Sequence, residues 1–154
     1  MNYLYLGIAN GKQDEAFLKE NFPKSLAEIT NEWLSNLVRG DVTSFESQIL
    51  EDGVMADAAI IRPVYGAEKG PSSIVLKYVK GTEAGIAAGK SLNAYEKEIK
   101  FYATLRDKVH PFMPCSKIIG LFSDPDKPEN FCIAMEDLNI ENNAMSIPVG
   151  LNKE

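Results

Sequence analysis

The sequence predicts an α+β domain in which helices pack on a five-stranded antiparallel sheet. Five short segments rich in aliphatic and β-branched residues are typical of strands, and short turns join most of them. Segments with helical periodicity lie before the first strand and after the third, which gives the order helix, three strands, helix, two strands. Short connections favour antiparallel pairing, because a parallel pair needs a long crossover.

The composition indicates one globular domain and excludes several classes of function. The 154 residues suffice for a single core, with 45% hydrophobic and 25% charged residues. A net charge of −6 argues against non-specific binding to nucleic acid or to an anionic membrane surface. No apolar run has the length of a membrane span. Cys115 and Cys132 lack metal-site spacing, so we expect reduced, buried thiols in a cytoplasmic protein.

The first predicted helix follows a stretch that contains a short helix-like run over 13–21. Ser25 and Glu28 have the spacing of a capping box, which predicts that this helix begins at Ser25. Its apolar residues share one face, and the helix is predicted to stop near Gly40. The residues on that face are Leu26, Ile29, Trp33, Leu34 and Leu37.

The predicted strands follow that helix and surround the second one. Gly53 belongs to the turn between the first two strands. Pro63 predicts that the second strand has an edge or an irregular end, because proline cannot donate to a ladder of hydrogen bonds. The five strands are predicted over 43–50, 58–65, 72–79, 116–122 and 131–135.

Lys77 is the one charged residue in the otherwise apolar third strand, and Glu98 is its predicted partner. Burying a lysine is costly unless its ammonium group finds a partner. The second helix, predicted over 85–108, has an apolar stripe at helical spacing, and Glu98 falls inside it. The stripe consists of Leu92, Tyr95, Ile99, Tyr102 and Leu105. A Lys77–Glu98 ion pair is one hypothesis. The alternative is a Lys77 stem that reaches water beside an unrelated carboxylate.

Six strings of residues, taken in order, resemble the N-terminal lobe of protein-kinase-like small-molecule kinases. The strings are Thr30-Asn-Glu-Trp33-Leu34, Ser73-Ile-Val-Leu-Lys77, Glu98-Ile-Lys-Phe101-Tyr102, Pro114, Phe131-Cys-Ile-Ala-Met135-Glu-Asp-Leu138 and Gly150-Leu-Asn-Lys-Glu154. They are similar in particular to the ecdysteroid-kinase-like group, which is related to choline kinases and aminoglycoside phosphotransferases. The resemblance covers roughly residues 26–154 and implies a protein-kinase-like fold.

The resemblance implies that ATP is the cofactor and that three residues lie near its phosphates. Lys77 would hold the α- and β-phosphates, and Glu98 would orient that lysine. The turn that contains Gly53 would cover the phosphates. A single glycine in this turn departs from the glycine-rich loop that many kinases have.

The resemblance also implies where the adenine would bind. The base would lie against the backbone at the exit of the last strand. Met135 would be the gatekeeper beside it. The carbonyl of Glu136 and the amide of Leu138 would pair with the edge of the base.

The resemblance divides the chain into an N-terminal extension (1–25), a kinase-like N-terminal lobe (26–138) and the start of a second lobe (139–154). In this family the catalytic aspartate and the magnesium-binding aspartate belong to the second lobe, and no matching string follows Leu138. His110 is predicted to end the long helix. The expected function is the ATP-binding half of a small-molecule kinase for an alcohol group. We expect it to be inactive alone, to bind Mg²⁺ only with the missing lobe, and to associate through the surface that this lobe would cover.

Two alternatives remain open. One is a non-catalytic module that binds a nucleotide or a protein partner. The other is a P-loop nucleotide binder, because Gly85-Ile-Ala-Ala-Gly89-Lys90-Ser91 follows a strand and opens a helix. That motif needs four residues between its glycines, and this segment has three. The spacing therefore favours a helix start with a solvated lysine over an anion-binding loop.

Overall fold

The computed structural model describes residues 8–9, 12–13, 22–50, 53–67, 70–113, 115–124 and 126–138. The predicted helix-like run over 13–21 and the segment 139–154 lie outside these residues, apart from Gln13. The strands are β1 (Ile8–Ala9), β2 (Lys12–Gln13), β3 (Val42–Leu50), β4 (Ala56–Tyr65), β5 (Ile74–Val79), β6 (Ile118–Ser123) and β7 (Phe131–Glu136). The helical segments are a 3₁₀ turn (Leu26–Glu28), α1 (Asn31–Val38), α2 (Glu83–Ser91), α3 (Ala94–Lys100), a π-helical turn (Phe101–Leu105) and α4 (Arg106–Val109).

The predicted α+β class and the five-stranded antiparallel sheet are confirmed. The sheet has the strand order β3-β4-β5-β7-β6, and every neighbouring pair is antiparallel. β1 and β2 form a separate antiparallel pair. Pro63 lies beyond Ile61, which is the last β4 residue paired with β5. Its missing N–H therefore costs no ladder bond on that side, in agreement with the irregular end that the sequence predicts.

The two faces of the sheet carry two hydrophobic clusters, because side chains alternate between faces along each strand. One face packs against α1, and Leu34 and Leu37 of that helix are fully buried there. The opposite face packs against the α3 region, with Tyr95 buried among residues of β6 and β7. β5 lies near the middle of the sheet and contributes to both faces, which is why its residues differ so sharply in exposure.

The first α-helix begins five residues later than the capping-box pattern predicts. Ser25 Oγ does donate to Glu28 Oε1 at 3.1 Å, but these residues bound only the short 3₁₀ turn. The chain is extended at Ile29 and Thr30, and Thr30 Oγ1 accepts from the Trp33 N–H at 3.1 Å. Thr30 is therefore the N-cap of α1. The predicted end is correct, because α1 stops at Val38, two residues before Gly40.

The predicted long helix over 85–108 is wrong as a single element. It is divided into α2, α3, the π-helical turn and α4. α2 and α3 are separated at Asn93, whose left-handed backbone (φ 48°) ends one helix and begins the other. Asparagine tolerates this conformation better than most residues do.

The apolar stripe predicted for that helix is only partly correct. Tyr95 is buried, and Ile99 and Tyr102 are half-buried against the sheet. Leu92 and Leu105, at the two ends of the stripe, are instead 57% and 46% exposed. Leu92 lies in the break between the helices, and Leu105 is the last residue of the π-helical turn, whose wider spacing moves side chains around the helix axis. No helix within the described ranges is long and apolar enough to cross a membrane.

Candidate functional site

Lys77 lies on the half-covered face of the sheet, in the second half of β5. Ile74, Leu76 and Tyr78 are buried on the opposite face, towards α1. The cross-strand neighbours of Lys77 are Ala58 on β4 and Ile133 on β7, so the long stem of Lys77 lies among apolar groups. The side chain is 32% exposed. Its charge therefore depends on a partner at the edge of the core rather than on full hydration.

Glu98 is that partner. Lys77 Nζ donates to both carboxylate oxygens of Glu98, at 2.6 Å and 2.8 Å. Tyr95 and Ile99 anchor α3 to the sheet, and this packing turns Glu98 towards β5. The ion pair that the sequence predicts is thus present, and the alternative of an unpaired Lys77 reaching into water is wrong. A phosphate-binding role for the pair remains a prediction.

Tyr102 lies one helical turn after Glu98 and extends the polar part of this face. Its side chain is half-buried beside residues of β6 and β7. Burial, and then the negative charge of Glu98, raise the pKa of Tyr102 above its usual value of 10.0. The raised pKa favours the neutral form of this hydroxyl.

The turn between β3 and β4 is held in place by Lys80, a residue that the sequence analysis did not identify. Lys80 Nζ donates to the carbonyl of Gly53 at 2.8 Å and to Asp57 Oδ1 at 3.0 Å. Gly53 itself is required by space, because a Cβ there would collide with the carbonyl oxygen of Ala56. The structure does not describe residues 51 and 52. No local pattern indicates the Lys80 contact, since lysines after strands are common.

Tyr95 connects the same turn to the helices. Its hydroxyl lies 3.0 Å from the carbonyl oxygen of Met55 and 3.2 Å from that of Gly85. The hydroxyl has a single proton to donate and lies within hydrogen-bond distance of both carbonyls. Burial is the largest cause that raises the pKa of Tyr95. The turn, the start of α2 and the start of α3 are joined at this one hydroxyl.

Met135, Glu136 and Leu138 lie where the sequence predicts, at and after the end of β7. Met135 is half-buried in the α3-side cluster and pairs across the sheet with Val75. Glu136 pairs with Ile74, the first residue of β5. Lys77 is three residues further along β5, about 10 Å away at the rise of a strand. Leu138 is exposed. Binding of a base by these residues remains a prediction.

The segment predicted as an alternative P-loop is helical. Residues 85–91 lie inside α2, which begins at Glu83, and Thr82 caps that helix by accepting from the Gly85 N–H. Lys90 forms an ion pair with Glu129, with Nζ 2.6 Å from Oε1. A phosphate-binding loop needs consecutive free amides in a turn, and helical amides are already bonded. Residues 85–91 therefore do not form the open loop that the P-loop alternative requires.

His110 lies at the end of α4, and the two cysteines differ in exposure. His110 directly follows α4, and its Nδ1 accepts from the Cys115 N–H at 3.1 Å, which agrees with a structural role at the helix end. Cys132 is buried, but Cys115 is only half-buried, so the expectation of two buried thiols is half correct. Within the described part of the chain, no group of three or more His, Cys, Asp or Glu side chains is arranged to hold a metal ion.

Comparison with known proteins adds no relative. No protein-family model matches this chain, and no curated protein sequence matches it. The function proposed below is therefore inferred from the contacts just described and from the resemblance of the sequence strings.

Proposed function

We propose that β5, β7 and α3 form the ATP-binding half of a small-molecule kinase that phosphorylates an alcohol group. The observation that carries this proposal is the pairing of Lys77 with both oxygens of Glu98. An ammonium group has three N–H donors, and Glu98 takes two of them. The third N–H can donate to a phosphate oxygen, while the Glu98 carboxylate holds the ammonium group in position.

The modest energetic value of the pair supports a role in binding. Both side chains are partly exposed, at 32% for Lys77 and 25% for Glu98. Ion pairs of this kind contribute only about 0–1 kcal/mol to stability. The pair offsets the partial desolvation of Lys77 and adds little further stability, which leaves room for a second role. The Lys77 ammonium group can bind a second, multiply charged anion in addition to Glu98.

The spacing along the sheet also supports the proposal. The β7 exit lies beside the start of β5, about 10 Å from Lys77 at the rise of a strand. Val75 and Met135 are half-buried on the face between these two points and offer an apolar surface for a base. The turn at Gly53, held by Lys80, lies beyond the other end of β5. Base, sugar and phosphates would lie in this order along one strand.

ATP would supply the phosphoryl group, and the role assigned to these residues is to bind and orient it. Lys77 would neutralise the phosphate oxygens and Glu98 would hold Lys77 in place. The resemblance assigns the catalytic aspartate and the magnesium-binding aspartate to the second lobe of a kinase. The proposal therefore names no catalytic residue among Lys77, Glu98 and the β7 exit. Nucleotide affinity is therefore the property to measure first.

The test is the affinity for ATP, measured by displacement of a fluorescent ATP analogue. We expect Lys77→Met to weaken binding roughly 10- to 100-fold, since a hydrogen bond to a charged group contributes about 1.5–3 kcal/mol. Lys100→Met is the matched control, because Lys100 is exposed on α3, the helix that carries Glu98, and the charge change is identical. Equal affinities for the wild type and Lys77→Met would refute the proposal.

A second assay separates the kinase from a non-catalytic nucleotide-binding module. Both hypotheses expect the same dependence of ATP affinity on Lys77. Only a kinase, assayed together with the lobe to which the resemblance assigns the catalytic aspartate, transfers phosphate to a small alcohol and loses this transfer in Lys77→Met.

A further inference from the structure

Ser73 is a buried polar side chain whose hydroxyl is bonded to a distant carboxylate. It lies immediately before β5 and is 6% exposed. Its Oγ donates to Asp137 Oδ2 at 2.5 Å, although the two residues are 64 positions apart in the chain. Asp137 is the first residue after β7. A short hydroxyl–carboxylate hydrogen bond belongs to the stronger class, so it ties the β7 exit firmly to the start of β5.

Glu136, the residue before Asp137, is bonded on the other side of β7, towards β6. The Glu136 N–H donates to the Lys117 carbonyl at 2.9 Å, and Glu136 Oε1 accepts from the Lys117 N–H at 2.7 Å. Lys117 immediately precedes β6. Strand ends usually fray once their ladder stops. Here hydrogen bonds hold two consecutive residues. Glu136 is bonded to Lys117 before β6, and Asp137 is bonded to Ser73 before β5.

We infer that Ser73 and Asp137 are positioning residues for a purine base, and this inference rests on the proposed function. Asp137 lies between Glu136 and Leu138, whose backbone carbonyl and amide would bind the edge of the base. Since the Asp137 side chain is bonded to Ser73, the base would be recognised by backbone groups rather than by this carboxylate. Holding Asp137 fixes the spacing of the two backbone groups on either side.

This role has a consequence for which purine is bound. A carbonyl acceptor suits adenine, which presents an exocyclic amine donor, whereas guanine presents a carbonyl oxygen at the same position. Two facing carbonyls would leave both without a donor, which is the kind of mismatch that gives strong discrimination. The preference for ATP over GTP should then depend on how rigidly Ser73 holds Asp137.

The test compares ATP and GTP affinities in the wild type, Ser73→Ala and Asp137→Ala. We expect each variant to weaken ATP binding about tenfold and GTP binding much less, so that the preference collapses. Lys77→Met should weaken both nucleotides by the same factor, because the phosphates are identical. Asp137→Asn keeps an oxygen acceptor for the Ser73 hydroxyl and should retain most of the preference.

The outcomes separate this inference from the function on which it rests. If the wild type binds neither nucleotide, the proposed function fails and the inference fails with it. If Lys77→Met weakens ATP binding but Ser73→Ala and Asp137→Ala keep wild-type affinity, only the inference is overturned. Equal losses for ATP and GTP would show a general structural effect and would also overturn it. Asp137→Ala changes a partly exposed residue after the strand, so it tests the inference even where Ser73→Ala unfolds.

Discussion

Gly89 shows how a single tertiary contact reverses an intrinsic helix preference. In an exposed helix, replacing glycine with alanine stabilises by about 1 kcal/mol. Gly89 lies inside α2, but a Cβ at this position would collide with the ring of Tyr95. That ring packs against Phe131 at 5.3 Å between centroids and carries the hydroxyl that bridges Met55 and Gly85. The residue is therefore set by its neighbour and not by helix propensity.

We expect Gly89→Ala to lower the free energy of unfolding by about 2 kcal/mol, because overpacking a core typically costs 1–3 kcal/mol. Denaturation in urea measures the change. Gly81→Ala is the matched control, since its added Cβ meets no atom within 4 Å. It should stay within about 0.5 kcal/mol of the wild type. A Gly89→Ala protein as stable as the wild type, or more so, would contradict the packing described for Tyr95.

At the scale of secondary-structure elements, the π-helical turn explains why the pattern of the second helix failed. One extra residue per turn shifts every later side chain around the helix axis. Leu105 consequently points outward, and Arg106 turns towards the protein. Its Nε and Nη2 donate to the carbonyls of Ser116 and Cys115, at 3.1 Å and 3.2 Å. The π-helical turn thus leaves Leu105 exposed and lets Arg106 donate to the segment that precedes β6.

The end of α2 is joined to the turn between β6 and β7 by the Lys90–Glu129 ion pair. The hydrogen bond from Lys90 is the largest cause that lowers the pKa of Glu129 below its usual value of 4.5. Because the folded pKa lies below the unfolded one, the pair stabilises the fold above about pH 4.5. This contribution is lost as the pH falls through the lowered pKa of the folded protein.

We expect Glu129→Gln to lower the free energy of unfolding by about 0.5 kcal/mol at pH 7, a value typical of partly exposed pairs. The difference from the wild type should shrink as the pH falls through the lowered pKa of the folded protein, and it should disappear once the carboxyl is protonated in both states. Urea denaturation at several pH values measures this. Glu46→Gln, on the exposed edge strand β3, is the matched control for the loss of a surface carboxylate. A deficit that persists unchanged at low pH would disprove the assigned pair.

At the scale of the whole molecule, the sheet is a single layer covered on both faces, and β7 lies inside it. Cys132 is on β7, fully buried between its cross-strand neighbours Tyr78 and Phe122. Burial strongly raises the pKa of its thiol, which suppresses the reactive thiolate. Cys115 is only half-buried and precedes β6. The two thiols therefore report on different openings of the fold.

We expect Cys115 to react with a thiol reagent in the native protein and Cys132 to react only when the sheet opens. The variant Cys115→Ser isolates the slow reaction. Its rate should be at least about a thousandfold below that of the unfolded chain, as the marginal stability of a small domain allows. Sub-denaturing urea should speed this reaction in proportion to the loss of global stability. Rapid labelling of Cys132 without urea would mean that β7 is not held inside the sheet.

Patterns of neighbouring residues determine which segments become strands and how those strands pair. Alternation and short turns were sufficient to predict the five-stranded antiparallel sheet. The same alternation, combined with helical spacing, made the Lys77–Glu98 ion pair one of two hypotheses, and the structure contains this pair. These features could be read from the sequence because each depends on period and chain direction, which are local properties.

Only the tertiary structure decided the breaks in the helices and the contacts that hold the candidate site. The break at Asn93 and the π-helical turn arise where packing against the sheet outweighs continuous helical bonding. The hydroxyl of Tyr95 reaches Met55 across 40 residues, and Ser73 reaches Asp137 across 64. Contacts at such separations leave no periodic trace, since they depend on where whole elements lie and not on the residues beside them.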